Sequence, residues 1–306
     1  MTAAFVYAGQ GSQRPGMGRD FYDEYPVIRE IFEYAPDGLD LRALCFESDA
    51  KTLERTEHTQ PCMGAFAAAV TRLLRAAGIS PQYAMGLSLG EYSALHAAGV
   101  FDWKTLLDTL VIRGRAMADA SAEGDYRMSA IIADESIAER AAADVGGGVW
   151  CCNYNCPGQI VIGGLRAAVE AAETRAIKLG ARRCIPLDVS GPFHTPFMTP
   201  AAEKLAEYLG KTQLGEMNFP VLFNVTGKTI APGESVRGLL TEQVRSPVRF
   251  ADGLRTLGAL GVDTLVEIGP GKALAGFARK TVPQIRVMSI DTAEDFHRVL
   301  QTLRGE

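Results

Sequence analysis

The chain has 306 residues and carries 31 Lys and Arg against 36 Asp and Glu, which gives a formal net charge of −5. Because 47% of its residues are hydrophobic and only 22% are charged, it can bury a large core and is not a disordered protein. The mild acidic excess argues against nucleic acid as the main partner. The longest apolar stretches, such as residues 63–70, are far shorter than the ~20 residues of a bilayer-spanning helix. We therefore expect no membrane segment.

The first ten residues contain no basic segment and no long apolar run, so we expect no secretory signal. The six cysteines are too few for a disulfide framework in a chain of this length, and a cytoplasmic chain would keep them reduced. Cys151, Cys152 and Cys156 cluster without paired C-x-x-C spacing or a nearby histidine, so we predict no metal site and no cofactor. The six are Cys45, Cys62, Cys151, Cys152, Cys156 and Cys184.

Short apolar runs followed by turns and helical patterns predict buried strands of an open parallel sheet covered by helices. In chain order, we predict strands at 3–8, 84–87, 221–225, 264–268 and 286–290, with helices such as 62–77 and 89–98 between them.

Residues 126–190 break this pattern because two strand-like runs are separated only by a turn at Pro157-Gly158. The whole segment predicts a β-α-β-β-α-β order, which is the ferredoxin-like pattern. Its elements are a strand at 128–133, a helix at 135–144, strands at 149–153 and 159–163, a helix at 165–179 and a strand at 182–188. We therefore predict a small ferredoxin-like subdomain, 126–190, inserted into a large hydrolase-like α/β subdomain formed by 1–125 and 191–306.

The clearest local motif is Gly86-Leu87-Ser88-Leu89-Gly90, a G-x-S-x-G between an apolar strand and a helix. Glycines two residues on either side of Ser88 leave room for a sharp turn that projects its hydroxyl outward. The start of the following helix offers backbone N–H groups to a developing anion. The motif indicates a nucleophilic serine; the alternative is an ordinary serine in a glycine-bracketed turn.

A nucleophilic serine needs a base, and the chain has four histidines. His96 lies about 12 Å of helix rise beyond Ser88, and His58 and His297 lie in polar segments. His194 follows a predicted strand in a loop made rigid by glycine and proline. It is the best candidate base, although a loop histidine with a structural hydrogen bond is the alternative.

The other glycine motifs do not match the sequence patterns of nucleotide-binding sites. The third glycine of G-x-G-x-x-G after Gly9 and Gly11 would fall at Arg14, and the turn at 269–273 lacks the upstream glycine and the Ser/Thr of a P-loop.

Arg113 lies in the predicted helical stretch 111–115, directly after apolar residues. It is either a solvated helix residue or, if it faces the cleft, a bidentate partner for a carboxylate.

Taken together, eight ordered motifs that span nearly the whole chain resemble malonyl-CoA:acyl-carrier-protein transacylases. They are Gly9-Gln10-Gly11-Ser12-Gln13, Thr59-Gln60-Pro61, Gly86-Leu87-Ser88-Leu89-Gly90-Glu91, Arg113-Gly114, Asn155-Cys156-Pro157-Gly158-Gln159, Phe193-His194, Asn224-Val225-Thr226-Gly227 and Glu267-Ile268-Gly269-Pro270-Gly271-Lys272.

The resemblance implies a role for each matching residue. Ser88 would be the nucleophile and His194 its base, and the backbone N–H groups of Gln10 and Leu89 would form the oxyanion hole. Arg113 would bind the malonyl carboxylate, and the backbone carbonyl of Gln243 would orient the histidine. The positions that would line the cleft are Gln60, Asn155, Phe193 and Leu87. Phe193 before His194 resembles the malonyl-type pattern. Leu87 departs from the family, which usually has histidine immediately before the nucleophile.

The activity implied is ping-pong transfer of a malonyl group from malonyl-CoA to the phosphopantetheine thiol of an acyl carrier protein, in fatty-acid or polyketide synthesis. The resemblance also implies a monomer. Two alternatives remain open at the level of sequence: a thioesterase or lipase-like serine hydrolase, and a catalytically silent carrier-docking protein.

Overall fold

The computed structural model describes residues 2–189 and 191–305. Within these residues the chain forms β1 (Ala3–Tyr7), β2 (Tyr83–Gly86), β3 (Tyr126–Ile132), β4 (Val149–Cys156), β5 (Gln159–Leu165), β6 (Arg183–Leu187), β7 (Leu222–Phe223), β8 (Lys228–Thr229), β9 (Thr264–Ile268) and β10 (Arg286–Ile290).

The helices alternate with these strands over most of the chain. They are α1 (Arg19–Glu24), α2 (Arg29–Glu33), α3 (Leu41–Phe46), α4 (Ala50–Leu53), α5 (Thr56–Ala76), α6 (Gly90–Ala97), α7 (Trp103–Ser121), α8 (Glu135–Val145), α9 (Arg166–Lys178), α10 (Thr199–Lys211), α11 (Val236–Gln243), α12 (Phe250–Ala259), α13 (Ala273–Thr281) and α14 (Ala293–Arg304), with short 3₁₀ helices at Pro26–Ile28, Pro36–Gly38 and Pro196–Met198.

The main sheet is parallel, with strand order β10-β9-β1-β2. Every residue of β1 and β9 is buried. Since successive side chains of a strand point to opposite faces, both faces of the sheet must be covered, as the apolar runs predict. The α/β fold class is confirmed.

The register of this sheet places the site. Tyr7 of β1 pairs with Gly86 of β2 and with Ile268 of β9, so these three strands end at the same level. The segments that follow them therefore meet at the carboxyl edge of the sheet, which is where ligands bind in open α/β folds. Two of these segments carry Gln10 and Ser88.

A second, antiparallel sheet has strand order β4-β5-β3-β6 and packs with α8 and α9 around a separate apolar cluster. The predicted β-α-β-β-α-β order is confirmed. The backbone of Val248 exchanges hydrogen bonds of 2.8 Å with Tyr154 and Cys152 of β4, which ties this sheet to the rest of the molecule. The subdomain boundaries stay a prediction, and residue 190, one of those boundaries, lies outside the described residues.

Two predicted elements differ from the structure. The run 221–225 is not a full strand of the parallel sheet: only Val221 bridges β2, at Ala84, and β7 pairs antiparallel with β8 instead. The chain turns after Phe223 because Asn224 bonds to the β2–α6 turn and Gly227 takes a φ of 66°. The helix predicted at 62–77 begins earlier, at Thr56, and contains Pro61, a residue type that the sequence pattern takes as a boundary.

No helix in the described part of the chain is long and apolar enough to cross a membrane.

Two glycines allow the β2–α6 turn. A Cβ on Gly86 would lie 1.9 Å from the carbonyl carbon of Gly90, and a Cβ on Gly90 would lie 2.3 Å from the carbonyl oxygen of Tyr7. These are backbone contacts that no rotamer change can relieve. The strand and the helix can therefore approach each other only where side chains are absent.

We predict that Gly86→Ala lowers the free energy of unfolding by at least about 3 kcal/mol, because its methyl group would overlap the backbone. Gly276→Ala is the matched control, since Gly276 lies inside α13 with open space around it. The control should raise stability by up to about 1 kcal/mol. Urea unfolding measures both, and equal stability of the two variants would contradict the prediction.

Candidate active site

Ser88 lies at the turn between β2 and α6 with a φ of 53°. Among the described non-glycine residues, only Asp37, Ser88 and His194 have positive φ angles. This conformation costs a non-glycine residue roughly 1–2 kcal/mol. Two of the three strained positions are therefore the two residues that the sequence predicts to form a catalytic pair.

Ser88 and His194 lie within hydrogen-bonding distance although 106 positions separate them. The Oγ of Ser88 is 2.8 Å from Nε2 of His194, and Nδ1 of His194 is 2.8 Å from the backbone carbonyl oxygen of Gln243. A carbonyl only accepts, so Nδ1 carries the hydrogen and Nε2 is the acceptor. The serine hydroxyl therefore donates to a nitrogen that can take its proton.

His194 is held as a neutral base. Its side chain is buried, and the loop that carries it is fixed by a backbone hydrogen bond from His194 to the carbonyl of Val244. Burial, together with the positive charge of Arg113, lowers the pKa of His194 to about 4. At neutral pH the imidazole is therefore unprotonated and able to accept a proton.

Arg113, on α7, is only 1% exposed and reaches into the same site. Its guanidinium donates to Oε1 of Gln60 at 2.7 Å, to Oε1 of Gln243 at 3.0 Å and to Oγ of Ser88 at 3.2 Å. It also lies over the ring of Tyr92, 5.1 Å from the ring centroid. These contacts orient the guanidinium, and the solvated-arginine alternative is wrong.

The charge of Arg113 has no carboxylate partner among the described ion pairs, which run from Arg14–Asp291 to Arg298–Asp295. Its Nε is buried and without a hydrogen-bond partner there. The nearby carboxyl of Glu91 does not supply a negative charge at neutral pH, because burial raises its pKa to about 8. A buried cation among neutral groups favours the binding of an anion.

These side chains open on one cavity of about 130 Å³. Of the predicted site residues, the cavity is lined by Gln10, Gln60, Leu87, Ser88, Arg113, Asn155, Phe193 and His194. Its remaining lining consists of Met117, Met128, Asn153, Val161, Leu187 and Val189. Gln10, Leu87 and Ser88 come from the segments that follow β1 and β2, whereas strands β3 to β6 supply residues of the second sheet, so the cavity lies between the edge of the main sheet and the ferredoxin-like sheet.

Two backbone N–H groups are available at the turn. Within the described residues, the amides of Gln10 and Leu89 donate to no acceptor, and Leu89 immediately precedes the first residue of α6. Gly9 packs against the β2–α6 turn around Ser88 (residues 86–90, the elbow) so closely that a Cβ there would lie 2.6 Å from the carbonyl oxygen of Leu87. The two amides are thus on neighbouring segments at the edge of the sheet, where an oxyanion could accept from them.

Sequence reasoning missed three residues around Ser88. Asn224 bonds to the backbone of Gly86 and Ser88, Glu91 accepts from the backbone of Asn224, and Tyr92 lies against Arg113. Asn224 and Glu91 stand in motifs that the sequence singles out, yet nothing in the local pattern indicates what they touch. The usable signal for Asn224 is a polar residue inside the apolar run 221–225.

Comparison of the sequence with known families and proteins gives one consistent family. The family model described as an acyl transferase domain matches residues 4–299. The malonyl CoA-acyl carrier protein transacylase of Bacillus subtilis is 40% identical over 309 residues, with 99% of this chain and 98% of the relative covered. The protein of the same name in Escherichia coli K12 is 38% identical, with 94% and 95% covered.

Solved structures show the same similarity. The MCAT structure from Streptococcus pneumoniae superposes with a TM-score of 0.92 at 38% identity, covering 98% of this chain and 100% of that one. A chain from the structure of a type II PKS acyl-carrier protein in complex with its malonyl-transacylase matches with a TM-score of 0.94 at 37% identity, covering 99% of this chain and 100% of that one. By its sequence, its fold and the full length of these matches, the chain belongs to the malonyl-CoA:acyl-carrier-protein transacylase family of acyl transferases.

Proposed function

We propose that this protein transfers a malonyl group from malonyl-CoA to the phosphopantetheine thiol of an acyl carrier protein, through a covalent malonyl-Ser88 intermediate. It would supply fatty-acid or polyketide synthesis. The observation that carries the proposal is that Ser88, a neutral His194 and the unpaired charge of Arg113 meet in one cavity. The relatives at 38–40% identity carry the corresponding name.

In the first half-reaction, Nε2 of His194 takes the proton of Ser88 as Oγ attacks the thioester carbonyl of malonyl-CoA. The carbonyl oxygen becomes an oxyanion, which the N–H groups of Gln10 and Leu89 stabilise. The C–S bond then breaks, and the imidazolium returns its proton to the departing CoA thiolate. The products are CoA and malonyl-Ser88.

In the second half-reaction, His194 takes the proton of the carrier's phosphopantetheine thiol, and the thiolate attacks the malonyl ester. A second oxyanion forms at the same two amides. When the C–Oγ bond breaks, the proton on His194 goes back to Ser88, so the enzyme is regenerated and malonyl-carrier leaves. The backbone carbonyl of Gln243 holds the imidazole in one tautomer throughout.

Arg113 separates this activity from that of a hydrolase with the same serine and histidine. We assign the malonyl carboxylate to its guanidinium, which Gln60 and Gln243 hold in place. Binding at that end gives the acyl group a defined pose and leaves less room for water at the ester. Asn155 has a buried Oδ1 without a partner among the described residues and lines the cavity, with Phe193 and Leu87 forming part of its apolar wall.

We also propose that the protein acts in the cytoplasm as a monomer. The six cysteines are free thiols in the described chain, which suits a reducing compartment.

We predict that incubation with malonyl-CoA and no carrier adds one malonyl group to the protein, and that Ser88→Ala carries none. Intact-mass spectrometry measures the adduct, and the control is the same incubation with CoA alone. An adduct on Ser88→Ala would contradict the nucleophile assignment. Continuous release of CoA without adduct would favour the hydrolase.

We predict that Arg113→Ala lowers kcat/KM for malonyl loading by about 10²–10³-fold, since a buried charge pair with the substrate is lost. Loading from acetyl-CoA, which has no free carboxylate, should change by less than about tenfold. The ratio of the two rates does not depend on the fraction of folded enzyme.

Arg115→Ala is the matched control, because Arg115 lies two positions further along α7 on the surface and pairs with Asp37. It should leave both loading rates unchanged. Equal losses for malonyl and acetyl groups in Arg113→Ala would place the carboxylate site elsewhere.

We predict that kcat/KM for malonyl loading, which reports the ionisation of the free enzyme, stays near its neutral value as the pH falls to about 5 and is half lost near pH 4. The reason is that the base form of His194 persists until the pH passes through its lowered pKa of about 4. Arg113→Ala should move this loss to higher pH, because the positive charge of Arg113 contributes to the lowering. A rapid-quench pH profile measures both, and an acid limb near pH 6.5 in the unmodified enzyme would contradict the prediction.

A further inference from the structure

Ser88, whose φ is positive, is held at its N–H and at its carbonyl by side chains from distant parts of the chain. Its N–H donates to Oδ1 of Asn224 at 2.8 Å, and its carbonyl accepts from Nε2 of Gln243 at 2.9 Å. The carbonyl also accepts from the backbone of Glu91 at 3.0 Å. None of these bonds involves the hydroxyl, so they act on where the hydroxyl points and not on its chemistry.

Asn224 bridges the turn with a single planar group. While Oδ1 accepts from Ser88, Nδ2 donates to the carbonyl of Gly86 at 2.7 Å. An amide is one of the few side-chain groups that carries an acceptor and a donor side by side. An alanine or an aliphatic residue could make neither bond, and would leave two backbone groups of the elbow unpaired.

Asn224 is itself fixed from several directions. It is 2% exposed, its backbone N–H donates to the carboxyl of Glu91, and its carbonyl accepts from the backbone of Arg249 at 2.8 Å. Nε2 of Gln243 lies 3.4 Å from its Oδ1. The side chain therefore cannot leave the elbow without breaking buried hydrogen bonds.

The bond to Asn224 also decides which amides can stabilise an oxyanion. Because the N–H of Ser88 is already donated to Oδ1, it is not available to a developing oxyanion. The next amide along the chain, that of Leu89, donates to no acceptor within the described residues. Asn224 thus binds the Ser88 amide, and the Leu89 amide remains for the substrate.

We propose that Asn224 is a positioning residue for the acyl-transfer reaction: it holds Ser88 in its positive-φ conformation so that Oγ meets Nε2 of His194 and the Leu89 amide faces the substrate. This inference rests on the proposed function. It adds a residue to which neither the motif nor the cavity assigns a role, since Asn224 does not line the cavity.

The test compares Asn224→Ala and Asn224→Ser with Thr71→Val. Thr71 also lies in the main α/β core and makes one buried hydrogen bond, to the hydroxyl of Tyr7 at 2.9 Å, so its loss controls for a general decrease in stability. Two rates are measured for each protein: malonyl loading from malonyl-CoA, and covalent labelling by a small alkyl fluorophosphonate, which reports on the serine and the oxyanion site without a malonyl group. Thermal unfolding is recorded alongside.

We expect both Asn224 variants to lose about 100-fold in both rates, as a displaced reacting group does, with KM for malonyl-CoA within about threefold of the unmodified enzyme. Thr71→Val should keep both rates within about twofold at a comparable unfolding temperature. Rates within threefold of the unmodified enzyme in both Asn224 variants would overturn the proposal. So would a failure of both variants to fold while Thr71→Val folds, because Asn224 would then act on folding and not on position.

The two probes separate this inference from the proposed function. If the unmodified enzyme is labelled by the fluorophosphonate but not by malonyl-CoA, the proposed function fails. The fluorophosphonate rates of the variants still decide the role of Asn224.

Discussion

The contact between two stretches of bare backbone at the β2–α6 turn is the constraint on which the site depends. Gly86 and Gly90 approach each other, and Gly90 approaches the carbonyl of Tyr7, at distances that exclude any side chain. Ser88, the residue between the two glycines, has a positive φ of 53°. A serine in that position projects its hydroxyl away from the sheet, over the edge where β1 and β9 also end.

The electrostatics of the site follow from burial. Arg113 is removed from water and surrounded by amide oxygens, a tyrosine ring and a hydroxyl, all of them neutral. Glu91, the nearby acid, is itself buried deeply enough to stay protonated at neutral pH. The positive charge thus has no anionic partner among the described residues, which is why we propose that the malonyl carboxylate binds Arg113.

His194, like Arg113, has no charged partner of opposite sign among the described residues. In many serine enzymes an acid orients the histidine, whereas here the partner of Nδ1 is the backbone carbonyl of Gln243. A neutral partner does not stabilise the imidazolium as a carboxylate does, and Arg113 disfavours it further. Burial and the charge of Arg113 lower the pKa of His194, so in the proposed mechanism its imidazolium is more acidic than an ordinary one, which suits the return of a proton to a thiolate or to Ser88.

Sequence reasoning reached the candidate residues that belong to recognisable motifs. The glycine spacing around Ser88 predicted the turn, the apolar runs predicted four strands of the main sheet to within one residue at each end, and the hairpin at Pro157-Gly158 predicted the second sheet. Local patterns suffice there, because turn geometry and strand burial are set by neighbours in the chain.

By itself, the sequence determined the sharp turn at Ser88, the two-sheet α/β architecture and the resemblance to acyl transferases. Only the tertiary structure decided that Arg113 faces the cavity and not solvent, that 221–225 leaves the sheet after one bridge, and that Asn224 holds the elbow. These outcomes depend on contacts between residues 25 to 138 positions apart, and no local pattern encodes which distant group will satisfy a buried donor or acceptor.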